Sequence, residues 1–168
     1  MPFLQTERLT LVPLSREIAM SAMRDRARLA ALLAAHVPDD WPEPDFAGFL
    51  PVLRRALRKD PACGEWFGII IHTADRTVVG DMGFHGPPDE EGMVEIGYSI
   101  LPAFRRRGYA FEMARALIGW ALARPEITRI TATGVAAGNR GSIRVLEKVG
   151  MQCTRRDGDL LSWELRRP

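Results

Sequence analysis

A strand followed by an arginine-rich turn and a helix is the feature that most constrains how this chain can fold. Apolar residues alternate with polar or small ones across residues 94–100, and this period of two predicts a strand. Pro102 cannot donate a ladder hydrogen bond, so we expect the strand to end just before it. From Tyr109 the apolar residues recur at helical spacing. This change of period predicts a helix that begins directly after the turn.

The turn itself has the features of an anion site. It reads Arg105-Arg106-Arg107-Gly108, and the first N–H groups of the following helix have no partner within that helix. Such amides lie at the positive end of the helix macrodipole and bind phosphate groups well. The spacing matches neither the GxxxxGK[ST] loop nor the GxGxxG fingerprint. A solvated loop with a helix cap would look similar in isolation, but the flanking strand and helix favour a phosphate site.

Length and composition indicate a single domain, 1–168, because 168 residues with 46% hydrophobic content can bury an ordinary core. The sequence has no apolar run of membrane-spanning length and no signal peptide, so we expect a soluble, cytoplasmic protein without a membrane partner. A net charge of +2 is too small to suggest nucleic acid. Cys63 and Cys153 lack CxxC spacing and the three histidines form no HExxH pattern, so we expect no metal and no disulfide framework.

Hydrophobic periodicity along the chain predicts the element order β-α-α-β-β-β-α-β-α-β-β. Pro51 falls inside the helix predicted for residues 46–59, so we expect a break or a later start there. Asp157-Gly158 predicts the turn of a closing hairpin. These patterns alone indicate an α+β or α/β fold with a mixed sheet.

Two separated motifs resemble those of the GCN5-related N-acetyltransferase (GNAT) superfamily. Residues 100–110, ILPAFRRRGYA, are similar to the R/Q-x-x-G-x-G/A motif that binds acetyl-coenzyme A, and residues 139–151 are similar to the N-x-x-S…L-E-K-x-G-F segment. With ERLTLVPL near the start and EIGY in the strand, the chain is most similar to the ribosomal-protein N-terminal-acetyltransferase-like (RimJ/RimL-type) branch. The resemblance implies the GNAT fold, a twisted mixed sheet of about seven strands flanked by about four helices.

The resemblance also implies acetyl-CoA as co-substrate, with its pyrophosphate on the turn. The expected contacts there are Arg105, Arg106, Arg107, Gly108, Tyr109 and Ala110. Related enzymes free a backbone N–H at a bulge in the central strand, where it bonds the acetyl oxygen as an oxyanion-hole donor would. The matching positions are Ser99, Ile100 and Leu101, with Ile100 best placed, and Asn139 and Ser142 complete the expected coenzyme contacts.

For the proton transfers, Glu95 is the expected base. A carboxylate on this strand face could take the proton of the amine through a water or attract a cationic substrate. A surface-facing strand residue is the alternative interpretation. Asp81 and His85, on the neighbouring predicted strand, are weaker candidates. Ser142 could donate a hydrogen bond to the leaving thiolate, although a helix cap would show the same sequence.

We therefore expect an N-acetyltransferase that transfers the acetyl group of acetyl-CoA to a primary amine by direct attack in a ternary complex. The acceptor would be a protein N-terminus or a small-molecule amine. The loop acids hint at a cationic acceptor, and two tryptophans could line its site: Asp39, Asp40, Glu43, Asp45, Trp41 and Trp66. An acyl-CoA-binding sensor without transferase activity is the alternative. A basic RNA-associated protein fits less well, because no stacking platform accompanies the arginines. We expect a monomer or homodimer.

Overall fold

An eight-stranded sheet forms the centre of the protein in the computed structural model, which describes residues 4–167. In that part of the chain, five α-helices cover the two faces of the sheet. The strands are β1 (Leu4–Gln5), β2 (Leu9–Pro13), β3 (Phe67–His72), β4 (Thr77–Phe84), β5 (Met93–Ile100), β6 (Arg129–Ala136), β7 (Gln152–Asp157) and β8 (Leu160–Arg166). The helices are α1 (Arg16–Arg24), α2 (Arg26–Leu33), α3 (Pro44–Lys59), α4 (Tyr109–Leu122) and α5 (Arg140–Lys148).

The sheet is mixed, with the strand order β1-β2-β3-β4-β5-β6-β8-β7. Neighbouring strands run antiparallel except β5 and β6, which run parallel. Parallel neighbours need a crossover connection, and α4 supplies it. The α+β class with a mixed sheet is thereby confirmed, and the parallel pair lies at the middle of the sheet.

Each face of the sheet has its own hydrophobic core. One core joins β5 and β6 to α4 and α5, and includes buried Ile96, Ile130 and Leu117. The other joins β2 and β3 to α1, α2 and α3, and includes buried Ile69 and Leu50. β5 therefore runs between two helical layers, which can present different groups to its two faces.

The first helical region divides at one aspartate. The Asp25 side chain accepts a hydrogen bond from the Arg28 N–H and so caps the start of α2, while its own N–H bonds the carbonyl of Ser21 at the end of α1. The Ser15 side chain accepts a hydrogen bond from the Ile18 N–H and caps the start of α1, a position where serine is preferred. This division and the two-residue strand β1 account for the elements beyond those expected.

Helix α3 corrects the expectation of a break at Pro51. The helix begins at Pro44, a favoured first position because that residue needs no N–H partner, and continues through Pro51 to Lys59. Pro51 lies on the exposed side. The carbonyl that loses its helical partner can therefore bind water, and the helix remains continuous.

Candidate functional site

The site lies where β5 and β6 separate. Their parallel pairing runs from Met93 to Glu95 on β5 and ends at Thr131 on β6. Just beyond that point the register of β6 against β8 shifts between Ala132 and Val135, around a glycine with positive φ, Gly134. The two central strands diverge there, and a cavity of about 400 Å³ opens between them.

Two backbone N–H groups of β5 face this gap. The pairing of β4 with β5 is antiparallel, so the N–H groups of β5 point alternately towards β4 and away from it. The His85 N–H bonds the Glu95 carbonyl and the Leu101 N–H bonds the Val79 carbonyl, both at 2.9 Å. This alternation directs the N–H groups of Tyr98 and Ile100 into the gap.

The Ile100 N–H is left without a strand partner for a different reason from the one expected. The register of β4 against β5 is regular from Ile96 to Ile100, without a bulge in β5. Divergence from β6 frees the amide instead. Of the three positions expected to bind the acetyl group, Ser99 and Leu101 direct their N–H groups towards β4, and Ile100 directs its own into the gap.

The turn before α4 is held in shape by its own side chains. Gly108, the residue before the helix, has a φ of 83°, and Arg106 has a φ of 63°. Arg105 donates from Nε to the Ile100 carbonyl at 2.7 Å and from Nη2 to Glu43 at 2.6 Å. Arg107 donates to the Ala103 carbonyl at 3.1 Å. These contacts occupy Arg105 and one nitrogen of Arg107, so the backbone amides at the start of α4 and the exposed Arg106 side chain are the groups that can face an anion.

Arg8, just before β2, contacts this turn, and the sequence interpretation gave it no role. Its guanidinium donates to the Arg107 carbonyl at 3.1 Å, lies 4.8 Å from the Tyr109 ring centroid and pairs with Glu112 at 2.6 Å. Burial alone would raise the pKa of Glu112, but hydrogen bonds from Thr6 and Arg8 lower it below its usual value. The motif ERL was visible in the sequence, but only the fold brings it to the turn.

On the other face of β5, Glu95 and His85 lie next to each other. The Glu95 Oε1 accepts hydrogen bonds from the hydroxyl and, at 3.3 Å, from the N–H of Thr133, a residue of β6. Its Oε2 lies 4.0 Å from Nδ1 of His85. The imidazole meets Gly97 edge-on, and an added Cβ there would lie 2.6 Å from Nε2. All four residues line the cavity.

Asp81 is the buried acid of the cavity wall. Only 2% of it is exposed, and its Oδ2 accepts from Trp41 Nε1 at 3.2 Å and from Ser99 Oγ at 3.1 Å. Burial raises the pKa of Asp81 to about 7, against the opposing effect of these two hydrogen bonds. Trp41 thus reaches the site through Asp81, whereas Trp66 packs against Trp120 on the opposite core.

One of the four acids expected near the acceptor lines the cavity, and the other three do not. Asp45 lines the cavity, next to the aromatic side chains of α3 and β3, Phe46, Phe49 and Phe67. Glu43 pairs with Arg105. Asp39 and Asp40 are not among the residues that line the cavity. The described lining residues include three carboxylates and no lysine or arginine, so this wall favours a cation.

The start of helix α5 forms part of the wall of the gap between β5 and β6. The Asn139 side chain accepts a hydrogen bond from the Ser142 N–H at 3.1 Å, so Asn139 is the helix cap. The Tyr98 hydroxyl donates to the Ser142 carbonyl at 3.3 Å and fixes α5 to β5. Burial raises the pKa of Tyr98. Both Asn139 and Ser142 line the cavity, and capping does not occupy the Ser142 hydroxyl.

Residues 4–167 contain neither a cluster of metal-binding side chains nor a membrane-spanning helix. There, no group of three or more His, Cys, Asp or Glu side chains is arranged to hold a metal ion. The helices described are all too short or too polar to cross a membrane.

The sequence matches a known protein family and one of its relatives over most of its length. Residues 8–152 match the family model described as "Acetyltransferase (GNAT) domain". The chain is 34% identical to the uncharacterized N-acetyltransferase YjdG of Bacillus subtilis (strain 168). The alignment spans 166 residues and covers 97% of each chain.

Solved structures share the fold at lower identity. The ribosomal-protein-S5-alanine acetyltransferase of Vibrio fischeri superposes with a TM-score of 0.68 at 16% identity, covering 99% of this chain and 97% of that one. The ribosomal L7/L12 alpha-N-protein acetyltransferase RimL, in complex with coenzyme A, superposes with a TM-score of 0.65 at 14% identity, covering 98% and 97%. The fold implied by the two motifs is therefore confirmed.

Proposed function

We propose a function from one premise: the chain belongs to the GNAT acetyltransferase domain family and is an N-acetyltransferase. The proposal is that it transfers the acetyl group of acetyl-CoA to a primary amine, by direct attack while both substrates are bound. The acceptor is a small-molecule amine or a protein N-terminus. The observation that carries this proposal is the divergence of β5 from β6 immediately before the N-terminus of α4.

The coenzyme side of the site suits a long, thin anionic molecule. The gap between β5 and β6 offers the N–H groups of Tyr98 and Ile100 to an extended chain of amides such as the pantetheine arm. At the end of the gap, the amides of residues 105–110 lie at the positive end of the α4 dipole, and Gly108 lets a phosphate approach closely. RimL, a neighbour in fold, is described in complex with coenzyme A, which supports this assignment.

Ile100 is the proposed donor to the acetyl oxygen. Its N–H faces the gap, and its own carbonyl is held by Arg105 at 2.7 Å, which fixes the end of β5. A fixed backbone donor costs little reorganisation when charge develops on the acetyl oxygen. On the α5 side, the Ser142 hydroxyl is the proposed donor to the thiolate that leaves.

The acceptor enters from the opposite face of β5. Asp45 and Glu95 attract an ammonium group, and the phenylalanines of the wall can contact an alkyl or aromatic body. An alkylammonium must lose a proton before its nitrogen can attack, and Glu95 is the proposed group that draws the proton away, directly or through a neighbour. Names of fold neighbours, among them a ribosomal-protein-S5-alanine acetyltransferase, support a protein N-terminus as one acceptor class.

A turnover screen tests the proposal. Purified protein with acetyl-CoA is incubated with a panel of free amines and a panel of peptides with unblocked N-termini, and release of the coenzyme thiol is followed. We expect at least one panel member to raise thiol release well above the rate without an amine. Tight acetyl-CoA binding with background release throughout both panels would favour the sensor alternative, and absence of acetyl-CoA binding would reject both.

A further inference from the structure

We propose that Arg8 is a positioning residue for the coenzyme: it neutralises the carboxylate of Glu112, so that the pyrophosphate of acetyl-CoA can bind at the start of α4. The inference rests on the proposed function and accounts for an acidic side chain next to the proposed phosphate site. Glu112 lies in the first turn of α4, and its N–H bonds the Gly108 carbonyl at 3.0 Å.

The carboxylate of Glu112 is close enough to the turn to compete with a bound anion. Arg8 Nη2 lies 2.6 Å from Oε2 of Glu112 and 3.4 Å from a Cβ added at Gly108, so Oε2 is no more than 6 Å from that position. This separation is shorter than a Debye length at physiological salt, so an unpaired carboxylate would repel a phosphate bound there. The positive end of the α4 dipole would also be partly neutralised by it.

Both carboxylate oxygens of Glu112 are bound from the segment before β2. Oε1 accepts hydrogen bonds from the Thr6 hydroxyl at 2.6 Å and from the Arg8 N–H at 2.9 Å. Oε2 accepts one from Arg8 Nε at 2.7 Å. Burial alone would raise the pKa of Glu112, but these hydrogen bonds from Thr6 and Arg8 lower it, so the carboxyl is ionised at neutral pH. Its charge is therefore real and is paired with the guanidinium of Arg8.

The guanidinium of Arg8 has a protein partner at each of its nitrogens. Nε and Nη2 face Glu112, and Nη1 donates to the Arg107 carbonyl at 3.1 Å. The group also lies 4.8 Å from the centroid of the Tyr109 ring. These contacts hold Arg8 beside the turn, so it acts on the phosphate site by neutralising Glu112 and not by bonding the phosphate itself.

The segment that carries Arg8 is itself fixed to the neighbouring structure. The Thr6 hydroxyl accepts from the Leu9 N–H at 3.1 Å, and the Arg8 carbonyl accepts from the Thr73 N–H at 2.9 Å. Only 17% of the Glu112 side chain is exposed, against 41% for Arg8. Water therefore screens this pair less than it screens a fully exposed pair, and loss of one partner has a larger effect.

A double-mutant cycle on acetyl-CoA binding tests the proposal, by calorimetric titration at low salt and about pH 8, where a free glutamate is ionised. Arg8→Gln leaves the Glu112 charge unpaired, and we expect the Kd to rise by about 10- to 50-fold. Glu112→Gln removes that charge, so this variant should bind at least as tightly as wild type. Arg8→Gln/Glu112→Gln should return to within about threefold of wild type.

Two further readouts separate a charge effect from a folding effect. The ratio of the Arg8→Gln Kd to that of wild type should shrink as salt is added, because screening weakens the repulsion. In turnover, the loss should appear in KM for acetyl-CoA without a comparable fall in kcat. Arg28→Gln is the matched control, because it breaks an exposed pair with Glu17 at 2.5 Å between α1 and α2 and should leave affinity unchanged. Thermal unfolding checks that each variant is folded, and Glu112→Gln tests the proposal even if Arg8→Gln is not.

Three results would overturn the proposal and leave the proposed function standing. The first is a Kd of Arg8→Gln within about twofold of wild type. The second is a double variant as weak as Arg8→Gln, which would mean that Arg8 bonds the phosphate directly. The third is a Glu112→Gln variant that binds as weakly as Arg8→Gln, which would mean that the pair only braces the turn. Absence of acetyl-CoA binding by the wild type would instead reject the proposed function, and this inference with it.

Discussion

The two faces of β5 form their sites from different parts of the chain. On the coenzyme face the proposed contacts are backbone groups: the N–H groups of β5 in the gap and the amides at the start of α4. On the acceptor face they are side chains from separate elements, Asp45 of α3, Asp81 of β4, His85 after β4 and Glu95 of β5. Backbone groups bind a common substrate whatever the side chains are. Side chains can adapt the other face to a particular acceptor.

The largest expected effect that distinguishes the two faces is the pH dependence of the unfolding free energy caused by Asp81. The unfolded carboxyl ionises near 3.8, but burial raises its pKa to about 7 in the folded protein. Between these pH values the folded state therefore binds the extra proton, so stability contributed by this group falls as pH rises from about 4 to about 7. The difference amounts to about 4 kcal/mol at most.

Asp81→Asn removes this titration. We expect the variant to gain stability relative to wild type as the pH rises through that window, measured as free energy of unfolding by urea at several pH values. Asp45→Asn, at an exposed position of the same wall, should show a difference within about 0.5 kcal/mol. If the difference in unfolding free energy between Asp81→Asn and wild type did not change with pH, ionisation of Asp81 would not be what destabilises the folded protein in this window.

Glu95→Gln tests whether the acceptor face depends on side-chain chemistry. The amide keeps the size of the carboxylate but cannot stabilise a positive charge, so kcat should fall by roughly 10- to 100-fold with unchanged acetyl-CoA affinity. Steady-state kinetics with both substrates separates the two effects. Glu91→Gln is the control, because Glu91 pairs with Arg129 outside the cavity at 3.0 Å. Equal activity of Glu95→Gln and wild type would remove Glu95 from the mechanism.

Gly108→Val tests the backbone face. Gly108 has a φ of 83° at the start of α4, where a β-branched residue is strained and its side chain would obstruct the amides. We expect acetyl-CoA affinity to fall by roughly 10- to 100-fold, consistent with 1–3 kcal/mol of strain and lost contact. Gly158→Val gives the same type of strain at φ 59° in the β7–β8 turn and should leave affinity unchanged. Equal losses in both variants would mean a general effect on folding.

The smallest expected effects distinguish a helix cap from a catalytic hydroxyl at the start of α5, which the sequence alone could not do. Asn139→Ala should cost about 1 kcal/mol of stability, because it removes the cap of α5. Ser142→Ala should leave stability unchanged and lower kcat by about tenfold or less, since a thiol of pKa about 8.5 leaves readily without an acid. Thermal unfolding and steady-state kinetics on both variants measure this. Full activity of Ser142→Ala would remove its hydroxyl from the mechanism.

The same contrast explains how much the sequence could predict. The strand, the turn and the helix of the proposed coenzyme face are consecutive in the chain, so their periodicity and Gly108 are enough to predict a phosphate site there. The acceptor face is formed by residues far apart in sequence, such as Trp41 and Asp81, and their contact depends on how α3 packs on the sheet. The raised pKa of Asp81 follows from that packing, which no local pattern encodes.

Two local expectations failed for related reasons. A bulge was expected to free the N–H of Ile100, but the register with β4 is regular and the divergence of β6 frees it instead. Pro51 was expected to break a helix, but its exposed position lets water replace the lost hydrogen bond. In both cases the structure around the residue decides the outcome.

The most direct test of the whole account is a calorimetric titration of acetyl-CoA into three proteins, the wild type, His85→Ala/Glu95→Gln and Gly108→Val. If the coenzyme face is formed by backbone and the acceptor face by side chains, the double variant should bind within about threefold of wild type, a difference below 1 kcal/mol. Gly108→Val should bind at least about tenfold more weakly. Equal weakening of both variants, or no binding by the wild type, would contradict the account.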